Sequence, residues 1–264
     1  MNPIRLARVP ACLGLVAVYA LLSGCAINQH TDVKNDPLET FNRTMYSFND
    51  TVDKGLIKPI AARYELVVPQ PARTGVGNFF SNLAYPIVII NDFLQGKFEQ
   101  GAEDIQRFAY NSTFGLLGLL DVSTPMGLEA NKEDFAQTLG YWGVGRGFYL
   151  VLPFYGPSTV RDGIGLVADY QLDLLNQHSD VSERNQALAL KVIDRRARLL
   201  SAERVLEEAA LDPYTFTRDA YLQQRASLIR DGEAAPREED EEEDGESAAE
   251  PENGRVPAKQ LLTP

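Results

Sequence analysis

Pro86-Ile87-Val88-Ile89-Ile90-Asn91-Asp92-Phe93-Leu94-Gln95 is the stretch on which the fold class turns. It is apolar on nearly every side, and such a short run is as compatible with a buried strand as with a helix. Pro86 at its start and the Asn91-Asp92 pair inside it favour a short helix beginning at the proline. Working outward, residues 66–75 are broken by Pro69, Pro71 and Gly75. Before them, Asp36-Pro37-Leu38-Glu39 reads as a helix start with a capping box. Leu38, Phe41, Met45, Phe48 and Val52 then recur at helical spacing, with Asn42, Arg43, Asn49, Asp50 and Asp53 mostly on the other side.

Downstream, residues 97–110 place Phe98, Ala102, Ile105, Phe108 and Ala109 on one helical face, and residues 113–121 form a compact apolar stretch. Thr159-Val160-Arg161-Asp162 opens another helix, with Val160, Ile164, Val167, Leu174 and Leu175 as its apolar positions. A long helix rich in Ala, Leu, Arg and Glu runs from Ser182 to about Leu211. Asp212-Pro213 restarts a last one that closes near Asp231-Gly232. There is no internal repeat and no run of paired strands. The class is all-α: a single domain of mostly short amphipathic helices. Short helices that are apolar on more than one face lie deep in a core, or against lipid within one leaflet; the pattern leaves both open.

The most distinctive segment is 139–157, LGYWGVGRGFYLVLPFYGP. Gly143, Gly145 and Gly147 alternate through it beside Tyr141 and Trp142. Glycine permits close backbone approach and positive φ, while Tyr and Trp suit a boundary that is apolar on one side and wet on the other. These five residues, Tyr141, Trp142, Gly143, Gly145 and Gly147, are the candidate interfacial loop. A phosphate cradle is excluded, since no Lys-Ser/Thr pair follows the glycines.

The two ends differ from the body. Arg5 and Arg8, then the 12-residue apolar run ACLGLVAVYALL at 11–22, then Leu22-Ser23-Gly24-Cys25, have the order of a lipoprotein signal. Residues 1–24 are expected to be removed and Cys25 to carry the lipid. Several acyl chains hold a protein to a membrane without spanning it. Ala26, rather than Asp, after the cysteine points to the outer membrane. Residues 25–35 form the lipidated N-terminus and a polar linker. Residues 231–264 form a tail that is expected to be disordered, because 231–252 hold 12 acidic residues and a single Arg.

The net charge of −12 is therefore mostly tail. The body, residues 36–230, is close to neutral, and the balance argues against nucleic-acid binding. The two histidines are His30 in the linker and His178, which reads as an exposed loop residue. With Cys25 acylated and no G-x-S-x-G elbow, no catalytic set, metal site or cofactor site is assembled by spacing. Glu133-Asp134 reads as a helix cap.

Several segments in order carry a resemblance. They are Asp36-Pro37-Leu38-Glu39 with Phe41-Asn42-Arg43, Phe48-Asn49, Asn78-Phe79-Phe80-Ser81-Asn82-Leu83, and Leu94-Gln95-Gly96-Lys97. Arg107-Phe108 with Asn111-Ser112-Thr113, Glu133-Asp134-Phe135 with Gln137-Thr138-Leu139-Gly140, and Leu152-Pro153 with Gly156-Pro157-Ser158 and Arg161-Asp162 complete the set. Over residues 36–175 the chain resembles the MlaA (VacJ) lipoproteins, with Ala136 where that family usually has Gly. The resemblance implies a helical ring lying in the periplasmic leaflet of the outer membrane, beside a trimeric porin. It also implies a polar passage through which phospholipids leave the outer leaflet for a soluble periplasmic carrier, maintaining lipid asymmetry without bond cleavage. A structural lipoprotein tethering the membrane to a protein partner, or a periplasmic lipoprotein hydrolase, are the alternatives.

Overall fold

The computed structural model describes residues 36–209 and 211–232. Cys25, which the sequence expects to carry a lipid, the linker and the acidic run after Gly232 lie outside the described residues. Among the described residues eight α-helices follow one another: α1 (Glu39–Val52), α2 (Lys58–Val67), α3 (Gln70–Leu94), α4 (Phe98–Thr113), α5 (Phe135–Tyr141), α6 (Val160–Leu172), α7 (Val181–Ala209) and α8 (Pro213–Ile229). A π-helical turn, Asp53–Ile57, joins α1 to α2. Among the described residues no helix is long and apolar enough to cross a membrane.

The chain is all-α with one small exception. Strands β1 (Tyr149–Leu152) and β2 (Gly156–Thr159) pair antiparallel, with Tyr149 opposite Thr159 and Leu152 opposite Gly156. No run of alternating residues announces them, since each strand has only four residues and one holds a proline.

Residues 86–94 are helical, but they are not a separate short helix. They form the C-terminal part of the 25-residue α3, which contains Pro86 and starts at Gln70, with Pro71 in its first turn. Pro71 stands where no intrahelical donor is needed, so it initiates rather than breaks. Pro86 does cost a backbone hydrogen bond; extensive packing of α3 on α4 holds the helix through it.

Helix ends follow local chemistry. Asp134 caps α5 by accepting from the Gln137 amide at 2.8 Å, and Thr159 caps α6 by accepting from Asp162 at 3.2 Å. Asp212 caps α8 through the Tyr214 amide at 3.1 Å. The capping box expected at Asp36 does not form. Glu39 pairs instead with Arg43, and Asp36 accepts from the Leu38 amide, the Asn42 side chain and the Tyr214 hydroxyl.

Burial runs against the usual order. Much of each apolar stripe read from the sequence faces outward: Leu38 just before α1, Phe41 and Phe48 on it, Phe98 and Ile105 on α4, and Val160, Ile164 and Val167 on α6 are exposed, whereas Met45 packs against the buried cluster of Tyr149, Val151 and Tyr214 and Leu175 is buried. Phe98 is 67% exposed. The buried residues of α4 are Gly101, Asp104, Arg107 and Asn111, and those of α6 are Arg161, Asp162 and Gly165. Among the described residues, 18 buried side chains are polar or charged and 12 are apolar. Polar groups placed this way need partners, and hydrogen bonds within the interior supply most of them, Oδ2 of Asp92 and Oδ1 of Asp104 being exceptions.

Candidate functional site

Segment 141–159 is built from both ends toward its middle. Helix α5 ends at Tyr141, and the turn after it is a Schellman motif. The Val144 amide donates to the Leu139 carbonyl at 2.9 Å and the Gly143 amide to Gly140 at 3.0 Å. That motif needs a left-handed residue, and Gly143 has φ +84°. Trp142, half exposed, donates from its indole nitrogen to the Leu94 carbonyl at 3.0 Å. Its ring meets Phe135 edge-on at 6.2 Å between centroids. Tyr141 is exposed.

Gly147 has φ +67°, and a Cβ placed there would lie 2.9 Å from Cβ of Val160. Glycine is therefore required at 147 by backbone angle and by space. Gly145 is exposed and lies outside the left-handed region. The Val160 amide donates to the Phe148 carbonyl at 3.1 Å and the Arg161 amide to Arg146 at 3.2 Å, which closes the glycine-rich loop against α6.

The hairpin is held from the other side by two asparagines of α1. Asn42, with no exposed surface, donates to the Tyr149 carbonyl at 3.0 Å and accepts from the Val151 amide at 2.8 Å. Asn49 donates to the Leu152 carbonyl at 2.9 Å and accepts from the Phe154 amide at 2.8 Å. Each side-chain amide thus presents to β1 the donor and acceptor of a neighbouring strand. The spacing fits: seven helical residues rise about 10.5 Å. The two clamped points on the strand are three residues apart, or about 10 Å. The hairpin tip then projects Phe154 and Tyr155, Phe154 being 72% exposed at φ +64° and packed edge-on against Phe48 at 5.3 Å.

The sequence marked the glycine loop but placed Asn42 and Asn49 only on the side of the first helix opposite its apolar stripe. Their spacing of two helical turns was the available signal. It also missed the buried polar thread beneath α5. Gln95 donates to Glu133 at 2.8 Å and to the Thr138 hydroxyl at 3.2 Å, and Thr138 donates to Asn91 at 2.7 Å. On the far side, Arg225 forks onto Asp134 at 2.6 and 2.9 Å and reaches Asp162 at 3.3 Å, while the Tyr221 hydroxyl donates to Asp162 at 2.7 Å. The Arg225 guanidinium keeps the largely buried Asp134 carboxyl below its usual range, although burial alone would raise it.

A cavity of about 710 Å³ opens elsewhere, between the start of α4 and segment 127–131; Gln100, Glu103 and Asn131 are among its walls. None of Tyr141, Trp142, Gly143, Gly145 and Gly147 lines it. His178 is exposed and 2.8 Å from Glu183. Among the described residues no group of His, Cys, Asp or Glu is placed to hold a metal ion.

Comparison with known proteins fits this architecture to a family. The family model described as MlaA lipoprotein matches residues 34–228. The Escherichia coli (strain K12) protein named intermembrane phospholipid transport system lipoprotein MlaA is 40% identical over 224 residues, covering 83% of this chain and 88% of that protein. A Haemophilus influenzae protein of the same name is 34% identical over 220 residues, covering 80% and 87%. A solved structure reported as the structural basis for maintenance of bacterial outer membrane lipid asymmetry has a TM-score of 0.66 and 36% identity, over 74% of this chain and all of that one. Helices with apolar flanks outward, a clamped aromatic hairpin and this breadth of similarity give one conclusion: the chain belongs to the MlaA lipoprotein family.

Proposed function

We propose that this protein is an outer-membrane lipoprotein of an intermembrane phospholipid transport system. It removes mislocalised phospholipids from the outer leaflet and passes them to a soluble periplasmic carrier, so that lipid asymmetry is maintained. The observation that carries the reading is the inverted burial: apolar helix faces outside, polar and charged side chains inside. A surface of that kind is at home in hydrocarbon, and an interior of that kind suits a zwitterionic or anionic headgroup. Among the described residues no helix is both long and apolar enough to span a bilayer, which supports a body seated in one leaflet with Cys25 as its lipid anchor.

In this reading chemistry is confined to moving a headgroup; no bond is broken. The segment around Tyr141, Trp142, Gly143, Gly145 and Gly147 stands at the passage or at its interfacial rim. The neighbours are a trimeric porin in the membrane and the carrier on the periplasmic side. The test is gentle extraction from native membranes followed by mass spectrometry of what stays bound. Phospholipid together with a porin is the expected result; purified material carrying neither would count against the proposal.

A further inference from the structure

Asp92 on α3 and Asp104 on α4 face each other with no exposed surface on either. Asp92 accepts from the Gln100 side chain at 2.7 Å and Asp104 from the Asn131 side chain at 3.1 Å, each through one oxygen. The other oxygen of each, Oδ2 of Asp92 and Oδ1 of Asp104, is buried and has no donor. Two buried carboxylates in contact repel by several kcal/mol at about 4 Å, even at an effective dielectric of about 20. Arg107 favours the charged form of Asp104 through space, but burial outweighs it. Arg107 spends its donors on Tyr85, Thr124, the Leu128 carbonyl and Asp121, and Lys97 is taken by Glu133 and Asp231. Glu103 and Glu133 add negative charge. Tyr85, raised to about 12 by burial, stays neutral.

We infer that Asp92 and Asp104 share one proton, and that this carboxylic acid–carboxylate bridge is a latch between α3 and α4. The proton sits on Asp92 and is donated to Asp104, so each orphaned oxygen acquires a partner. Burial pushes the Asp92 carboxyl up to about 7, and raises Asp104 as well. Loss of the proton turns the bridge into a repulsion. Gln100 and Asn131, which hold the pair, also wall the 710 Å³ cavity, so its lining loosens as the pH rises.

The sign follows from the raised value. The folded state binds one proton more than the unfolded chain between the ordinary carboxylate range and about 7. Stability is therefore greatest on the acid side of that window and falls as the pH rises, the folding constant dropping by up to about tenfold per pH unit. Asp169, raised to about 6 by burial, contributes a slope of its own, so the difference between wild type and Asp92→Asn isolates the pair.

The test uses the full lipidated chain in detergent. Asn at 92 mimics the protonated acid and donates to Asp104. Asp92→Asn should match wild type near pH 4, exceed it at pH 8, and flatten the profile between. Infrared spectra at pH 6.5 should show a protonated carboxyl band that disappears by pH 8.5 and is missing from the variant. Parallel pH profiles, or a band that persists unchanged in Asp92→Asn, overturn the inference. If the variant does not fold, the wild-type titration decides alone, and absence of the band at pH 6.5 overturns it. Stabilisation of wild type by calcium at pH 7.5 that Asp92→Asn abolishes also overturns it, since the pair would then hold a metal ion.

Discussion

Two asparagines do at residue scale what a third strand would do for the hairpin. Removing either leaves backbone groups of the hairpin without partners, and the cost follows their burial. Asn42→Ala orphans the Tyr149 carbonyl and the Val151 amide in a site closed to water, and should lower stability by about 2–4 kcal/mol. Asn49→Ala works nearer the exposed tip and should cost about 1–2 kcal/mol. Chemical denaturation in detergent distinguishes them, and equal losses would contradict the clamp. The glycines separate in the same way. Gly147→Val meets both a forbidden backbone angle and Val160, whereas Gly145 is exposed and does not have a positive φ. Gly145 and Gly147 together replaced by bulky residues should raise outer-leaflet phospholipid while leaving Cys25 lipidated. Unaltered asymmetry in a folded double variant would remove the loop from the transport path. At this scale the sequence was half legible. The glycine and aromatic pattern marked the loop, but no local rule says that an asparagine on a helix will pair with a strand more than 100 residues away.

At the scale of elements, periodicity located helices and failed at sense and length. The stripe Leu38, Phe41, Phe48 is real, and so is the stripe Phe98, Ile105, yet both face out. A 3.6-residue period says that two faces differ; only the surrounding medium decides which is inside. Helix length failed at proline for a related reason. Proline removes one donor and its ring crowds the carbonyl four residues back, a local cost of about 3 kcal/mol that packing of α3 on α4 offsets. Pro86→Ala restores the donor and should stabilise the fold by about 1–3 kcal/mol. Unfolding midpoints in one detergent measure it, and a loss of stability would mean that the proline is needed where it stands. The caps at Asp134, Thr159 and Asp212 were legible in advance because capping is decided within four residues.

For the whole molecule, inverted burial makes the medium part of the fold. The isolated chain should be monodisperse in detergent and should aggregate when detergent is diluted away, since Phe114, Leu116, Leu117 and Phe154 would then face water. A chain that remains monomeric without detergent, as judged by light scattering, would argue that the apolar faces are not lipid-facing. Removing residues 233–264 should leave transport largely intact, with asymmetry assayed in cells. Failure would instead favour a tether working through the acidic run. Asp231, which the sequence assigned to that run, pairs with Lys97 and belongs to the body.

The clamp between α1 and the hairpin also has a direction in time. Asn42 finds Tyr149 only 107 residues later, and Asp36 finds Tyr214 178 residues later. A chain delivered N-terminus first therefore presents its first helix long before the groups that complete it arrive. Such distant closures are slow to form. Until then an unsatisfied amide and an apolar flank travel together, so the segment made earliest is the one that depends longest on an escort.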